Sequence, residues 1–228
     1  EAEAVMAPLL EAHGARWRGR MAGTAGVLAC YSFYANKLIT TGEGGMVLTD
    51  DRQLRDRLRL LRNAGLTEPR FQHEVLATNY RLTNLQAAIG CAQLAMIDTW
   101  LAARIANAAH YTRRFTGCAA IATPVTRPHA VNAFWMYGIE LTAACPHDRA
   151  TVITRLDAAG IETRPFFHPL HRQPVFARGG SPLHPACCGA FPVSDRLGAR
   201  GLYLPSGSTL TAPERDRVAD AVLSAVHD

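Results

Sequence analysis

Tyr31-Ser32-Phe33-Tyr34-Ala35-Asn36-Lys37-Leu38-Ile39-Thr40-Thr41-Gly42-Glu43-Gly44-Gly45-Met46-Val47 contains the single lysine of a 228-residue chain with 24 basic residues. Arginine has replaced lysine everywhere that a generic cation suffices. The lysine that survives is expected to do what arginine cannot. A guanidinium stays protonated and is no nucleophile, whereas an amine can be neutral and attack a carbonyl. Around Lys37 stand a serine five residues before and Gly42, Gly44 and Gly45 after. A hydroxyl and accessible backbone N–H groups are what a phosphate needs, and glycines permit close backbone approach. A reactive lysine beside a phosphate cradle is the layout of a pyridoxal phosphate site.

Working outward, residues 25–33 read as a short buried strand and Met46-Val47-Leu48-Thr49 as a second. Asp50 or Asp51 caps a helix over 52–63, which Gly65 stops. Residues 66–82 read as an irregular loop. One long helix is expected from Thr83, its N-cap, to Phe115, with Leu85, Ala88, Ile89, Ala92, Leu94 and Ile97 at helical spacing. Residues 117–131 read as a linker, and Phe134–Leu141 as a strand. A helix over 148–159 and a strand over Ile161–Phe167 follow, then a Pro/Gly/His-rich excursion over 168–192. Helices near 194–200 and 212–226 close the chain. Strands alternating with helices predict a layered α/β fold.

Composition narrows the function classes. The chain is 48% hydrophobic and 19% charged, with a formal net charge of +5 spread along its length. There is no basic run, so nucleic acid is not an expected partner. No stretch approaches the ~20 apolar residues of a membrane span. The six cysteines form no CxxC pair, so free thiols in a reducing compartment, the cytoplasm, are expected rather than a zinc site. His168-x-x-His171 is interrupted by Pro169, and no metal is expected there. Trp100 and Trp135 read as core or interface residues.

Four ordered blocks carry a family resemblance. They are the Lys37 stretch, Thr78-Asn79-Tyr80-Arg81-Leu82-Thr83-Asn84-Leu85-Gln86-Ala87-Ala88-Ile89-Gly90, Gly160-Ile161-Glu162-Thr163-Arg164-Pro165-Phe166-Phe167-His168-Pro169-Leu170-His171, and Leu204-Pro205-Ser206 with Leu210-Thr211. From about residue 11 to its end the chain resembles the sugar aminotransferases of the DegT/DnrJ/EryC1/StrS family. The resemblance implies a fold-type-I α/β aminotransferase. Residues 1–105 would be the C-terminal part of the large cofactor domain, and residues 106–228 the small C-terminal domain. It implies pyridoxal 5'-phosphate held covalently by Lys37, with Ser32 on its phosphate. Asn79 would reach the phosphate across a homodimer interface, with Arg81 in the same loop. Glu11 and His13 match the stretch beneath the cofactor ring, and Arg164 and His171 the substrate side. The implied reaction is transamination of a nucleotide-linked 4-keto-6-deoxy sugar, with glutamate as donor.

Three departures qualify the expectation. Pro8 stands where the family places an aspartate for the pyridine nitrogen, and Ala77 where a glycine is usual. Relatives are also longer at the N-terminus. The alternatives are a catalytically inactive fragment, a partner-dependent half of such an enzyme, and a cofactor-binding regulator.

Overall fold

The computed structural model describes residues 7–8, 12–177 and 189–227. They divide into two compact units, 1–103 with 126–135, and 104–125 with 136–228.

The first unit is built on a small sheet in the order β1-β4-β5. Strand β1 (Ala7–Pro8) lies parallel to β4 (Ala29–Ser32), and β4 is antiparallel to β5 (Gly45–Leu48). Proline lacks the N–H that a central strand donates, and Pro8 sits in a strand at the end of this described sheet order. A separate hairpin, β2 (Arg16–Trp17) with β3 (Arg20–Met21), takes a third strand from far along the chain, β9 (Ala130–Val131). Helix α1 (Arg52–Arg62) starts at Asp51, whose carboxylate accepts from the N–H groups of Gln53 at 2.7 Å and Leu54 at 3.1 Å. Asp51, not Asp50, is therefore the cap. Gly65 ends the turn with φ +70°, and a Cβ there would meet the Val75 carbonyl.

The expected loop at 66–82 contains a small hairpin, β6 (Leu66–Thr67) with β7 (Gln72–His73). The expected single helix from Thr83 is two helices, α2 (Asn84–Leu94) and α3 (Ile97–Phe115). Thr83 does cap the first, in a reciprocal box with Gln86. No glycine or proline marks the break at 95–96, so apolar spacing runs straight through it.

The second unit carries a four-stranded sheet, β11-β12-β10-β8: Arg164–Pro165, Gly201–Leu204, Tyr137–Leu141 and Ile121–Ala122. Alternation along β10 buries Tyr137, Ile139 and Leu141 on one face. The Tyr111 ring of α3 lies 5.2 Å from that of Tyr137, and Leu156 of α4 (Arg149–Ala158) and Val222 of α7 (Ala212–His227) are likewise out of solvent. Buried Asn107 is satisfied: its amide donates to the Gly207 carbonyl at 2.8 Å and its oxygen accepts from Arg215 at 3.0 Å.

Several expected boundaries shift. The strand expected from Phe134 begins at Tyr137, and that expected over Ile161–Phe167 shrinks to Arg164–Pro165. The 117–131 linker contains β8 and β9. The 168–192 excursion holds a 3-10 turn, Leu170–Arg172, and α5 (Pro174–Ala177), before α6 (Pro192–Arg200) begins. No described helix is long and apolar enough to cross a membrane.

Candidate active site

The lysine sits in the connection between β4 and β5, and that connection is braced from several sides. Lys37 N–H donates to the Tyr34 carbonyl at 3.0 Å, and Thr41 N–H to the Phe33 carbonyl at 2.9 Å. The Thr40 hydroxyl also donates to Phe33 carbonyl at 2.9 Å, and the Thr41 hydroxyl to Glu43 carbonyl at 2.7 Å. Helix α2 adds two clamps: Gln93 accepts from Thr40 N–H at 2.9 Å, and Gln86 donates to Glu43 carbonyl at 3.1 Å. Leu38 and Ile39 are buried directly after the lysine and anchor the turn. At Gly44, with φ +152°, a Cβ would come within 2.5 Å of the Thr41 hydroxyl and 2.8 Å of Leu82, so only glycine fits.

His13 lies beside this turn. It is 5% exposed, and neither ring nitrogen has a hydrogen-bond partner among the described residues. Its ring is 5.2 Å from that of Tyr31 and 6.0 Å from that of Phe33. Burial, and secondarily the charge of Lys37, hold its pKa below the usual histidine value. A buried imidazole without partners is costly in a finished core and expected where a polar ligand belongs. Ser32 ends β4, and its hydroxyl accepts from Tyr34 N–H at 3.3 Å. These residues fit pyridoxal phosphate: an amine for its aldehyde, a hydroxyl at the head of a glycine-rich turn, and an unsatisfied buried imidazole.

Asn79 and Arg81 are exposed and tied to each other. The Asn79 side-chain oxygen Oδ1 accepts from Arg81 Nε at 2.9 Å, and Arg81 Nη1 donates to Asn63 Oδ1 at 3.1 Å, at the end of α1. In the second unit, Arg164 is an exposed surface residue, 3.3 Å from Glu162. His171 Nε2 stands 2.8 Å from Asp195 Oδ1, and its ring is 4.6 Å from that of Phe191. Arg172 first, and then His171, hold the Asp195 carboxyl below the usual carboxylate range. His171 is thus a hydrogen-bond partner of Asp195, and no cluster of three or more metal-ligating side chains occurs among the described residues. Glu11 lies outside the described residues. Cys30, Cys91, Cys118 and Cys145 are free thiols.

One residue of this site was read differently from the sequence. Trp135, expected in core or interface, has its indole 3.8 Å from Lys37 Nζ. Nothing local announces this contact, because it joins segments distant in the chain.

Residues 7–223 match the DegT/DnrJ/EryC1/StrS aminotransferase family. The chain belongs to this family. Its members are pyridoxal phosphate-dependent sugar aminotransferases of fold type I. GDP-perosamine synthase of Caulobacter vibrioides is 40% identical over 217 residues, covering 93% of this chain and 56% of the relative. The dTDP-3-amino-3,4,6-trideoxy-alpha-D-glucose transaminase of Streptomyces venezuelae is 36% identical over 214 residues, covering 93% and 54%. The crystal structure of S. venezuelae DesV in complex with a ketimine intermediate superposes with a TM-score of 0.85 at 35% identity, covering 96% of this chain and 57% of that one. The chain therefore spans little more than half the length of the relatives it matches.

Proposed function

We propose that this chain serves the pyridoxal phosphate-dependent transamination of a nucleotide-linked 4-keto-6-deoxy sugar, with glutamate as amino donor, in the manner of a GDP-perosamine synthase supplying polysaccharide biosynthesis. The observation that carries the reading is the single lysine, held in a braced glycine turn beside a buried histidine whose ring nitrogens have no hydrogen-bond partner among the described residues. Bound at Lys37, the cofactor would supply a carbonyl to carry the amino group and a ring to withdraw electrons.

The chain's own residues do the rest. Lys37 presents its amine for covalent attachment, and when displaced by an incoming amine it moves a proton at the substrate carbon as general base and acid. The Ser32 hydroxyl would bind the phosphate of the cofactor. His13 would pack against the bound cofactor, a role shared with Glu11 two residues before, and burial disfavours a charged imidazole there. Pro8 offers no carboxylate to the ring nitrogen, which weakens the electron sink. Asn79 serves the phosphate of a neighbouring copy in a homodimer, with Arg81 holding its side chain. Arg164 and His171 recognise the sugar nucleotide, an anion suited to a cationic side chain.

The test is mass mapping after borohydride reduction of the chain incubated with pyridoxal phosphate, followed by conversion of the cofactor aldehyde to its amine by glutamate. Reduced cofactor on Lys37 supports the reading. Cofactor only on the chain's α-amine overturns it.

A further inference from the structure

We infer that Trp135 is a positioning residue for Lys37, its indole face forming the seat on which the side-chain amine waits before it reacts. The inference deepens the proposed function and rests on its reading of Lys37 as the reacting amine.

Two contacts of Trp135 point the same way. Lys37 Nζ lies 3.8 Å from the Trp135 ring centroid, well inside the range in which an aromatic face attracts a cation. The indole is itself fixed from the other edge: its Nε1–H donates to the carbonyl of Asn36 at 2.8 Å, the residue directly before the lysine. One side chain thus holds both the backbone of the turn and the tip of the lysine. A seat made by packing alone would need no such second bond.

The segment that delivers Trp135 is also arranged for it. Residues 126–135 pack with the first unit, although the chain on either side of them belongs to the second. This strap pairs through β9 with β2, in the register Arg16 with Val131 and Trp17 with Ala130. The His129 carbonyl accepts from Arg18 N–H at 2.7 Å, and the His129 ring meets the Trp17 indole edge-on at 4.0 Å. The hairpin holding the strap starts three residues after His13, so the strap and the histidine beside Lys37 share one support. Just before Trp135, Phe134 adopts φ +47°, and its N–H is turned in to the Asn132 side chain at 2.9 Å. A bulky residue in the left-handed region is strained and persists only where its surroundings enforce it. Here that kink ends the strap at Trp135, directly before the second unit resumes at Met136.

The single lysine makes the test clean. In protein labelled with 13C and 15N only at lysine, Lys37 gives the only side-chain spin system, and an amine over an indole face has its Hε resonances displaced upfield by the ring current. We expect that displacement in the unliganded wild type, most of it in Trp135→Phe, which keeps a ring face, and none in Trp135→Leu. Trapping of pyridoxal phosphate on Lys37 by borohydride should slow about fivefold in Trp135→Leu, because the amine is no longer held in place, with Trp135→Phe restoring most of the rate. Undisplaced lysine resonances in the wild type overturn the inference. So does a wild-type trapping rate in folded Trp135→Leu. If Trp135→Leu does not fold, the wild-type and Trp135→Phe spectra decide alone. Displaced resonances together with cofactor trapped only at the α-amine would uphold the seat and sink the proposed function, so the two failures are separable.

Discussion

At the scale of single residues, burial and the charge of Lys37 both disfavour a proton on His13. Burial is the larger cause of the lowered His13 pKa and the charge of Lys37 the smaller. The sign of the consequence follows from proton linkage. In the unfolded chain His13 regains its ordinary pKa of 6.5. As the pH falls through that value the unfolded state takes up the proton first, and stability falls with it. Stability from this residue is therefore complete above about 6.5 and lost progressively below it. We expect the wild type to lose more stability than His13→Phe between pH 7.5 and 5.5, read from urea midpoints. Equal losses would contradict the neutral buried imidazole. For Lys37→Arg we expect the folded structure to persist and borohydride-trapped cofactor to vanish, because a guanidinium keeps the charge but not the nucleophilicity. Trapped label elsewhere at wild-type yield would show that the lysine is not the attachment point. Ser32 at a strand end and Lys37 in the turn after it were legible as positions, because both lie in one contiguous string. Trp135 was not, since the strap that brings it to the lysine is a tertiary fact with no local signal.

At the scale of elements, local chemistry was read well where it acts within a turn or two. Asp51 and Thr83 cap their helices as their side chains dictate. Boundaries set by pairing were read poorly. Strand ends at Tyr137 and Arg164 depend on where the partner β12 stops, and the small β6–β7 hairpin is a pairing of residues with no alternating pattern. The break between α2 and α3 is likewise silent in a sequence whose apolar spacing continues across it. The Thr83 box matters to the site because α2 also supplies Gln86 and Gln93 to the lysine turn. Thr83→Ala should cost about 1 kcal/mol of helix stability, the usual value of a lost N-cap. Amide exchange at Gln86 and Ala87 should accelerate about fivefold as a result, while exchange in the second unit's β10 stays unchanged. Unaltered exchange at Gln86 would mean that the cap contributes nothing.

At the scale of the whole molecule, the first unit has apolar surface that its described residues leave exposed. Met46, Val47 and Leu48 of β5 are each more than 40% exposed, and Leu85 on α2 is 79% exposed. Groups from β5, α1 and the segment 76–82 line a groove of about 1280 Å³, with Arg81 among them. Apolar patches of this kind mark contact surfaces, and a symmetric pair is the commonest way for one chain to cover them. A second copy would also give Asn79 a reason to be exposed rather than turned in towards its own lysine turn. We expect light scattering coupled to size exclusion to show a dimer whose population rises with concentration. Leu85→Glu is the informative variant. The residue contributes almost nothing to its own unit's core, and glutamate is a good helix former, so the fold should survive. A carboxylate buried without a partner in an apolar contact is costly, enough to weaken a dimer tenfold or more. Dimerisation equal to the wild type would place the interface elsewhere. A clean monomer of the wild-type chain at high micromolar concentration would remove the homodimer from the proposed function, and with it the reading of Asn79 as a residue that acts across to a neighbouring copy.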